Sequence, residues 1–527
     1  MVVPTNTEQL RSPFLLSGAV VLLLAYVALT SLAAWYRLRH IKGPFLASFS
    51  YLWLIQNSAG GRQAEGFRAV NDKYGPLARI GPNDLLTNDP EMFRRMGKTN
   101  RKPAYSRSSW YSAIKLDPYH ESLISKLDTH AHDQLKAQLS FGYAGKENPS
   151  LAEGIDSQIE ALVDLIRRKY ISKDADTKPL DLATVIQYFT LDALTKVAYG
   201  YAFGYSATDS DVHDYIKETE KVVPMIRLAA EIPWAGKILT SPTFLKLAGP
   251  KTTDKKGFGK MLKIAADIVE ARFEPGAKDQ QDMLGAFIRH GLGKRDCQSE
   301  IPFQIVAGSD TTATAVRGTL LNLMTAPNAY YRLQKEIDEA VADGRASSPI
   351  QVAEARNLPY LQAVLYEGLR INIPFSGLAT KIVPPGGDTI NGQFVPGGTR
   401  IGQNFLGVQR SKEVFGDDPD LFRPERWLNI DDAKLSKQRH HVELVFGAGR
   451  WGCGGKTVAL IEMNKIYFEL SLGKLNLTPT RRKLLRRFDF QLINPMKPIE
   501  SMNQNMFFQK NMWVRVTERF PMAPSGV

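Results

Sequence analysis

The stretch Phe446-Gly447-Ala448-Gly449-Arg450-Trp451-Gly452-Cys453-Gly454-Gly455 decides how this chain is read, because it sets a single thiol among glycines. Glycine lets backbone N–H groups approach a sulfur closely, and such donors lower the charge density of a bound thiolate and set its redox potential. The only other cysteine is Cys297. Two cysteines in 527 residues fit a reducing compartment. A lone thiol in a glycine loop points to a metal ligand, the alternative being an incidental cysteine in a turn. The stretch runs on into Gly455-Lys456-Thr457, which looks like the end of a phosphate-binding P-loop. That spacing needs a glycine where Arg450 stands, and Gly449 is one position early, so nucleotide binding stays a second reading here.

Outward from the loop, 43% hydrophobic residues allow a large core. Pro and Gly are dispersed and no linker or repeat appears, so residues 51–527 read as one large globular domain. The first 12 residues lead into a segment from Pro13 to Tyr36 without any charge. Its roughly two dozen residues, at about 1.5 Å each, match the ~30 Å hydrocarbon layer and predict a transmembrane anchor over 13–36. A cleaved signal peptide ending near Ala33-Ala34 is the alternative. Arg37, Arg39, His40 and Lys42 come immediately after, which predicts a cytosolic body, and Trp35 and Tyr36 suit the membrane interface. Gly43-Pro44 ends the helix within a basic, proline-bearing hinge over 37–50. The net charge of +13 is spread among acids without a basic stripe, which argues against nucleic acid and for an anionic membrane surface or an acidic protein partner.

Helical apolar spacing runs over Leu151–Lys169, Ala183–Tyr199 and Phe258–Phe273. Arg79–Leu86 reads as a strand, and short strands return at Ala379–Val383 and Thr399–Asn404 between Pro-Gly breakers. These elements predict a mainly α body with small antiparallel β-sheets.

A long apolar helix from about Phe303 to Met324 contains Ala307-Gly308-Ser309-Asp310-Thr311-Thr312. Gly and successive Thr are poor helix formers, and such local conflicts mark function, tight packing against a neighbour being the alternative. Ala307 and Gly308 leave room for a flat ligand, Thr311 can bond into an opened turn, and Asp310 can relay protons. Glu367 and Arg370, three apart on the helix Leu361–Arg370, share a face. With Arg426 of Pro424-Glu425-Arg426-Trp427 they would form a buried charged lock behind the cysteine loop.

In this order and spacing, the acid-Thr helix, the Glu367/Arg370 pair, the Pro424–Trp427 segment and the Phe446–Gly455 loop resemble the cytochrome P-450 haem-thiolate monooxygenases. The style is most similar to fungal members of the pisatin-demethylase-like group. The shared order removes the P-loop reading. The resemblance implies haem b with Cys453 as the axial iron ligand, Phe446 beside the sulfur, and Thr311 and Asp310 delivering protons during dioxygen activation. It places haem propionate contacts at Arg450 and in His132-Asp133-Gln134-Leu135-Lys136. It further implies electrons from NADPH through a separate flavoprotein reductase, with cytochrome b5 as a second candidate donor, because no flavin or nicotinamide fingerprint is present. The implied location is the endoplasmic reticulum membrane, single-pass, with the catalytic domain cytosolic. An apolar substrate from secondary metabolism would meet Trp110, Tyr111, Gln304, Phe375, Met506 and Phe507.

Several positions depart from the family pattern. Trp451 stands where Arg or His is usual, Lys136 where Arg is usual, and Gly454 where a larger aliphatic is common. Residues 471–483 interrupt the helix Thr457–Leu470 before Leu484–Phe490 resumes, as a surface insertion or a retained intron. Pro302 fits only near a helix start. Two rival functions remain: a same-fold enzyme that rearranges or dehydrates its substrate, and a haem-binding protein inactivated by the insertion.

Overall fold

The computed structural model describes residues 8–173, 175–471 and 487–519. The helix Leu182–Tyr199 is buried on nearly every face, which makes it central. It packs along the longest helix, Lys294–Thr325, with Leu151–Lys169 on its other side. The helix Gly257–Phe273 lies across the long helix, and Pro359–Ile371 and Lys456–Ser471 pack against its later turns.

The long helix begins at Lys294, earlier than the sequence predicts, and encloses Pro302. Proline there removes the donor to the Gln298 carbonyl. Burial of Cys297, Ser299, Glu300 and Ile301 nevertheless holds the first turns in register, so packing overrides the local preference.

The main sheet has five strands in the order Leu77–Gly81, Asp84–Thr87, Arg400–Gln403, Lys381–Ile382, Ser106–Arg107. The predicted strand Arg79–Leu86 is therefore a hairpin turning at Pro82-Asn83. Pairing is antiparallel except between Asp84–Thr87 and Arg400–Gln403, where Leu85 faces Ile401 in parallel register. Only strands far apart in the chain can pair so, since a parallel pair needs a long crossover. The expected insertion lies, beyond Ser471, outside the described residues. The chain on its far side is a strand and not resumed helix: Arg487–Leu492 pairs with Trp513–Arg519, consistent with the alternating Phe488 and Phe490, both buried.

At the N-terminal end a helix runs over Glu8–Leu38. Among the described residues, no helix is long and apolar enough to cross a membrane. The segment 37–50 is docked, unlike the expected hinge. Leu38 and Ile41 are buried, and the Arg79 guanidinium donates to the carbonyls of Ala34 (3.0 Å), Ser48 (3.1 Å) and Pro82 (2.7 Å). Arg37 adds bonds to the Gly397 carbonyl and the Thr399 hydroxyl.

Candidate active site

The cysteine loop is built by its glycines. Gly449 has φ +55°, and a Cβ there would sit 2.2 Å from the Gly97 carbonyl oxygen, so the loop can lie against the end of the helix Pro90–Gly97 only with glycine at this position. The Cys453 N–H donates to the Phe446 carbonyl at 2.7 Å, closing the loop. The sulfur then lies at the start of the helix Lys456–Ser471, where the N–H groups of Gly455 and Lys456 favour a thiolate. Cys453 is exposed, yet burial pushes its thiol up. The sulfur is crowded by protein atoms although the residue keeps contact with solvent.

Glu367 stands at the centre of the lock. Its carboxylate accepts from Arg370 Nε and Nη2, both at 2.8 Å, from Arg426 Nε at 2.9 Å, from the Arg423 N–H at 2.8 Å and from Trp427 Nε1 at 3.0 Å. Burial acts to raise this carboxyl, but the guanidinium groups of Arg370 and Arg426 overcome it and hold it below the usual range. The remaining donors of both arginines go to carbonyls of Gln409, Phe415, Asp418, Pro419 and Leu421 and to the Asp418 carboxylate, so the lock fixes the chain leading into the cysteine loop.

On the long helix, Phe303, Ala307, Gly308, Asp310 and Thr311 are half-exposed, while every other residue from Ser299 to Leu320 is buried. Positions i, i+4, i+7 and i+8 form one stripe, the face of this stretch that its neighbours leave partly open. Thr311 Oγ1 donates to the Ala307 carbonyl at 2.7 Å. Gly308 departs from its expected role, because a Cβ there would meet Leu194 side-chain carbons at 2.9 and 3.0 Å. It permits close approach of the helix Leu182–Tyr199. The Asp310 carboxylate accepts from Gln187 Nε2 at 2.7 Å and from the Tyr215 hydroxyl at 2.9 Å, and Arg317 holds Gln187 by its amide oxygen at 2.6 Å. Burial pushes the Asp310 carboxyl up to about 6 against the pull of Tyr215, Arg317 and Gln187. A cleft of about 20 Å³ reaches Asp310 between Gln187, Thr219, Glu220 and Phe507, enough for one water.

The residues expected at the propionates already have protein partners. Arg450 Nε is paired with Asp133 at 2.9 Å, and Lys136 Nζ donates to the Arg450 and Gly452 carbonyls at 2.7 and 2.9 Å. His132 is buried, with Nδ1 3.0 Å from Asp133 Oδ1. Two residues that the sequence did not point to stand nearby, Arg107 and Lys381. Both are buried, and both lie over the Tyr111 and Trp451 rings at 4.4–5.3 Å. Burial pushes Arg107 down to about 10 and, with Arg107 beside it, holds Lys381 well below its usual value. Arg107 Nε and Trp110 Nε1 are buried without a hydrogen-bond partner among the described residues. Buried cations and orphaned donors are costly unless an anion joins them. The two carboxylates of a haem b fit that need, and the thiol and the open stripe fit its iron and its flat face. A lysine in the apolar run Leu378–Val383 was the available signal for Lys381.

Of the expected pocket residues, Trp110 and Phe375 come together edge to face at 6.2 Å. The Tyr111 hydroxyl donates to the Ala379 carbonyl at 3.1 Å, which places it with the cations. Met506 and Phe507 lie on the strand Met506–Lys510 against the long helix. Gln304 is not brought to them, since its amide meets Tyr199 at 3.0 Å and Met283 at 3.2 Å.

The cytochrome P-450 family profile matches residues 43–512. The chain is 48% identical to cytochrome P-450 monooxygenase ABA1 of Pyricularia oryzae, over 96% of this chain and 97% of that one. It is 42% identical to monooxygenase aba1 of Botryotinia fuckeliana, over 91% and 92%, and 37% identical to abl1 of Leptosphaeria maculans, over 92% and 85%. With the cysteine loop, the charged lock and the acid-threonine helix all present in one fold, this chain belongs to the cytochrome P-450 family of oxidoreductases.

Proposed function

We propose that this protein is a haem-thiolate monooxygenase that oxidises an apolar small molecule of fungal secondary metabolism. The observation that carries the reading is the Asp310-Thr311 pair on the open stripe, with Asp310 held by Gln187 and Tyr215 at the end of a water-sized cleft. Cys453 would hold the haem iron, and Arg107, Lys381 and Trp110 its propionates. The bound group supplies dioxygen activation with electrons that originate in NADPH.

The chain's own part is proton supply and exclusion of water. Glu220 and Thr219 line the cleft through which protons reach Asp310. Tyr215 and Gln187 keep the carboxyl in place, and Thr311 Oγ1, one residue on, takes the proton toward the reacting oxygen. Thr311→Ala is expected to retain the reduced carbon monoxide band but to divert NADPH electrons to peroxide. Product should fall by on the order of 10²-fold, the low end of general acid-base effects. An unchanged product-to-peroxide ratio would remove Thr311 from the relay. Because the protonated carboxyl is the donor and titrates near 6, product formation should decline as pH rises through that value. Asp310→Asn should flatten the decline, which a pH series of NADPH-coupled turnover reads.

A separate flavoprotein reductase, with cytochrome b5 as a second donor, supplies the electrons. Arg450 and Lys456 are already paired with Asp133 and Glu443. The exposed Lys434 and Lys437 on the helix Asp432–Val442, which leads into the loop, therefore offer the docking charge. The only support for an anchor in the endoplasmic reticulum membrane and a cytosolic body is the sequence, its uncharged 13–36 segment and the cations after it; no described helix meets the length and apolarity of a membrane span.

The test is turnover of terpenoid, alkaloid and polyketide scaffolds with reductase, NADPH and isotopically labelled dioxygen. One labelled atom in the product is expected. Product without label would replace the reading by rearrangement or dehydration, and absence of NADPH consumption by a non-catalytic haem protein.

A further inference from the structure

We infer that Tyr143 is a positioning residue for the Cys453 sulfur, acting through Gly454 as part of a clamp along one face of the helix Thr129–Tyr143. The inference rests on the reading of Cys453 as the iron ligand. His132, Lys136 and Tyr143 recur at i, i+4 and i+11, which places them on one side of a 3.6-residue helix. Each meets a different neighbour of the cysteine. The His132 ring lies 4.8 Å from the Trp451 ring. Lys136 Nζ bonds the carbonyls of Arg450 and Gly452. The Tyr143 ring covers Gly454, where an added Cβ would stand 3.1 Å from Cδ2, 3.2 Å from Cγ and 3.4 Å from Cβ of Tyr143.

Trp451, Lys136 and Gly454 are each half of a contact whose other half lies on or against the same helix. The glycine is what admits the tyrosine. The phenol in turn donates to Glu300 Oε1 at 2.7 Å, and Glu300 belongs to the long helix that carries Asp310 and Thr311. The other Glu300 oxygen accepts the Leu123 N–H at 2.9 Å, so the carboxylate cannot swing away without losing that bond. One side chain thus ties the thiolate loop to the helix of the proton relay.

The experiment uses the full-length, haem-loaded protein and reads the fraction of thiolate-type reduced carbon monoxide band, with the ferric/ferrous midpoint potential. Gly454→Leu is expected to cut the thiolate fraction severalfold, because the new side chain and the Tyr143 ring claim the same space. Tyr143→Ala/Gly454→Leu should recover most of it, and Tyr143→Ala alone should shift the potential. Should Gly454→Leu yield no folded protein, Gly454→Ala reads the same contact with one methyl, and Tyr143→Ala should again restore what it loses. A full band in Gly454→Leu, or a double variant no better than the single one, would overturn the clamp. Cys453→Ser separates the two ideas: a band that survives it defeats the ligand reading, whereas its loss together with failed rescue defeats the clamp alone.

Discussion

Cys453→Ser is expected to abolish the thiolate-type reduced carbon monoxide band and all monooxygenase turnover while the protein stays folded. The loop's shape does not depend on sulfur: it is set by the positive φ of Gly447 and Gly449 and by the Cys453 N–H bond to Phe446. A serine can keep those features. What it loses is an easily formed, polarisable anion, since the N–H groups of Gly455 and Lys456 can favour a thiolate but cannot make an alkoxide at neutral pH. The spectrum, with circular dichroism as the folding control, checks the result. A retained band would show that another residue holds the iron.

Glu367→Leu should be strongly destabilising. It removes the acceptor shared by Arg370 and Arg426, whose side chains are 0% and 3% exposed, and strands two guanidinium groups without water. Breaking one side of a buried pair costs about 3–5 kcal/mol, a large part of a typical stability of about 5–15 kcal/mol. Because the lock holds the segment that leads into the cysteine loop, haem uptake should fall along with the melting temperature. The pH dependence has a definite sign. The folded carboxyl lies below its usual value, so its stabilisation is present above the ordinary glutamate pKa and fades as pH falls through the lowered one. Glu367→Leu should lack that acid-side loss. Urea unfolding across pH reads both effects, and a cost below about 1 kcal/mol would mean that the lock is a surface-grade pair.

The cysteine loop, the lock and the acid-threonine helix could be read from sequence because each is a short pattern whose chemistry demands particular residue types. Helices such as Leu151–Lys169 were legible from periodicity. What escaped were roles set by distant partners. The apolar run around Lys381 marks that lysine as unusual, but nothing local tells that it and Arg107 will both face Tyr111 and Trp451. Gly308 has the look of space for a ligand, yet Leu194 lies against it, and Tyr143 is informative only with Gly454 beneath its ring. The strand Arg487–Leu492 was missed because its apolar spacing also fits a continuing helix.

The grip of Arg79 on Ala34 and Ser48 has a mechanical consequence. The leading helix is fastened to the body at a fixed angle, so it works as a mooring post and not as a rope. Whatever meets that helix also sets the heading of the body behind it. Arg79→Ala would loosen that fastening, leaving the Arg37 bonds and the buried Leu38 and Ile41 to hold the helix, with every group around Cys453 where it was.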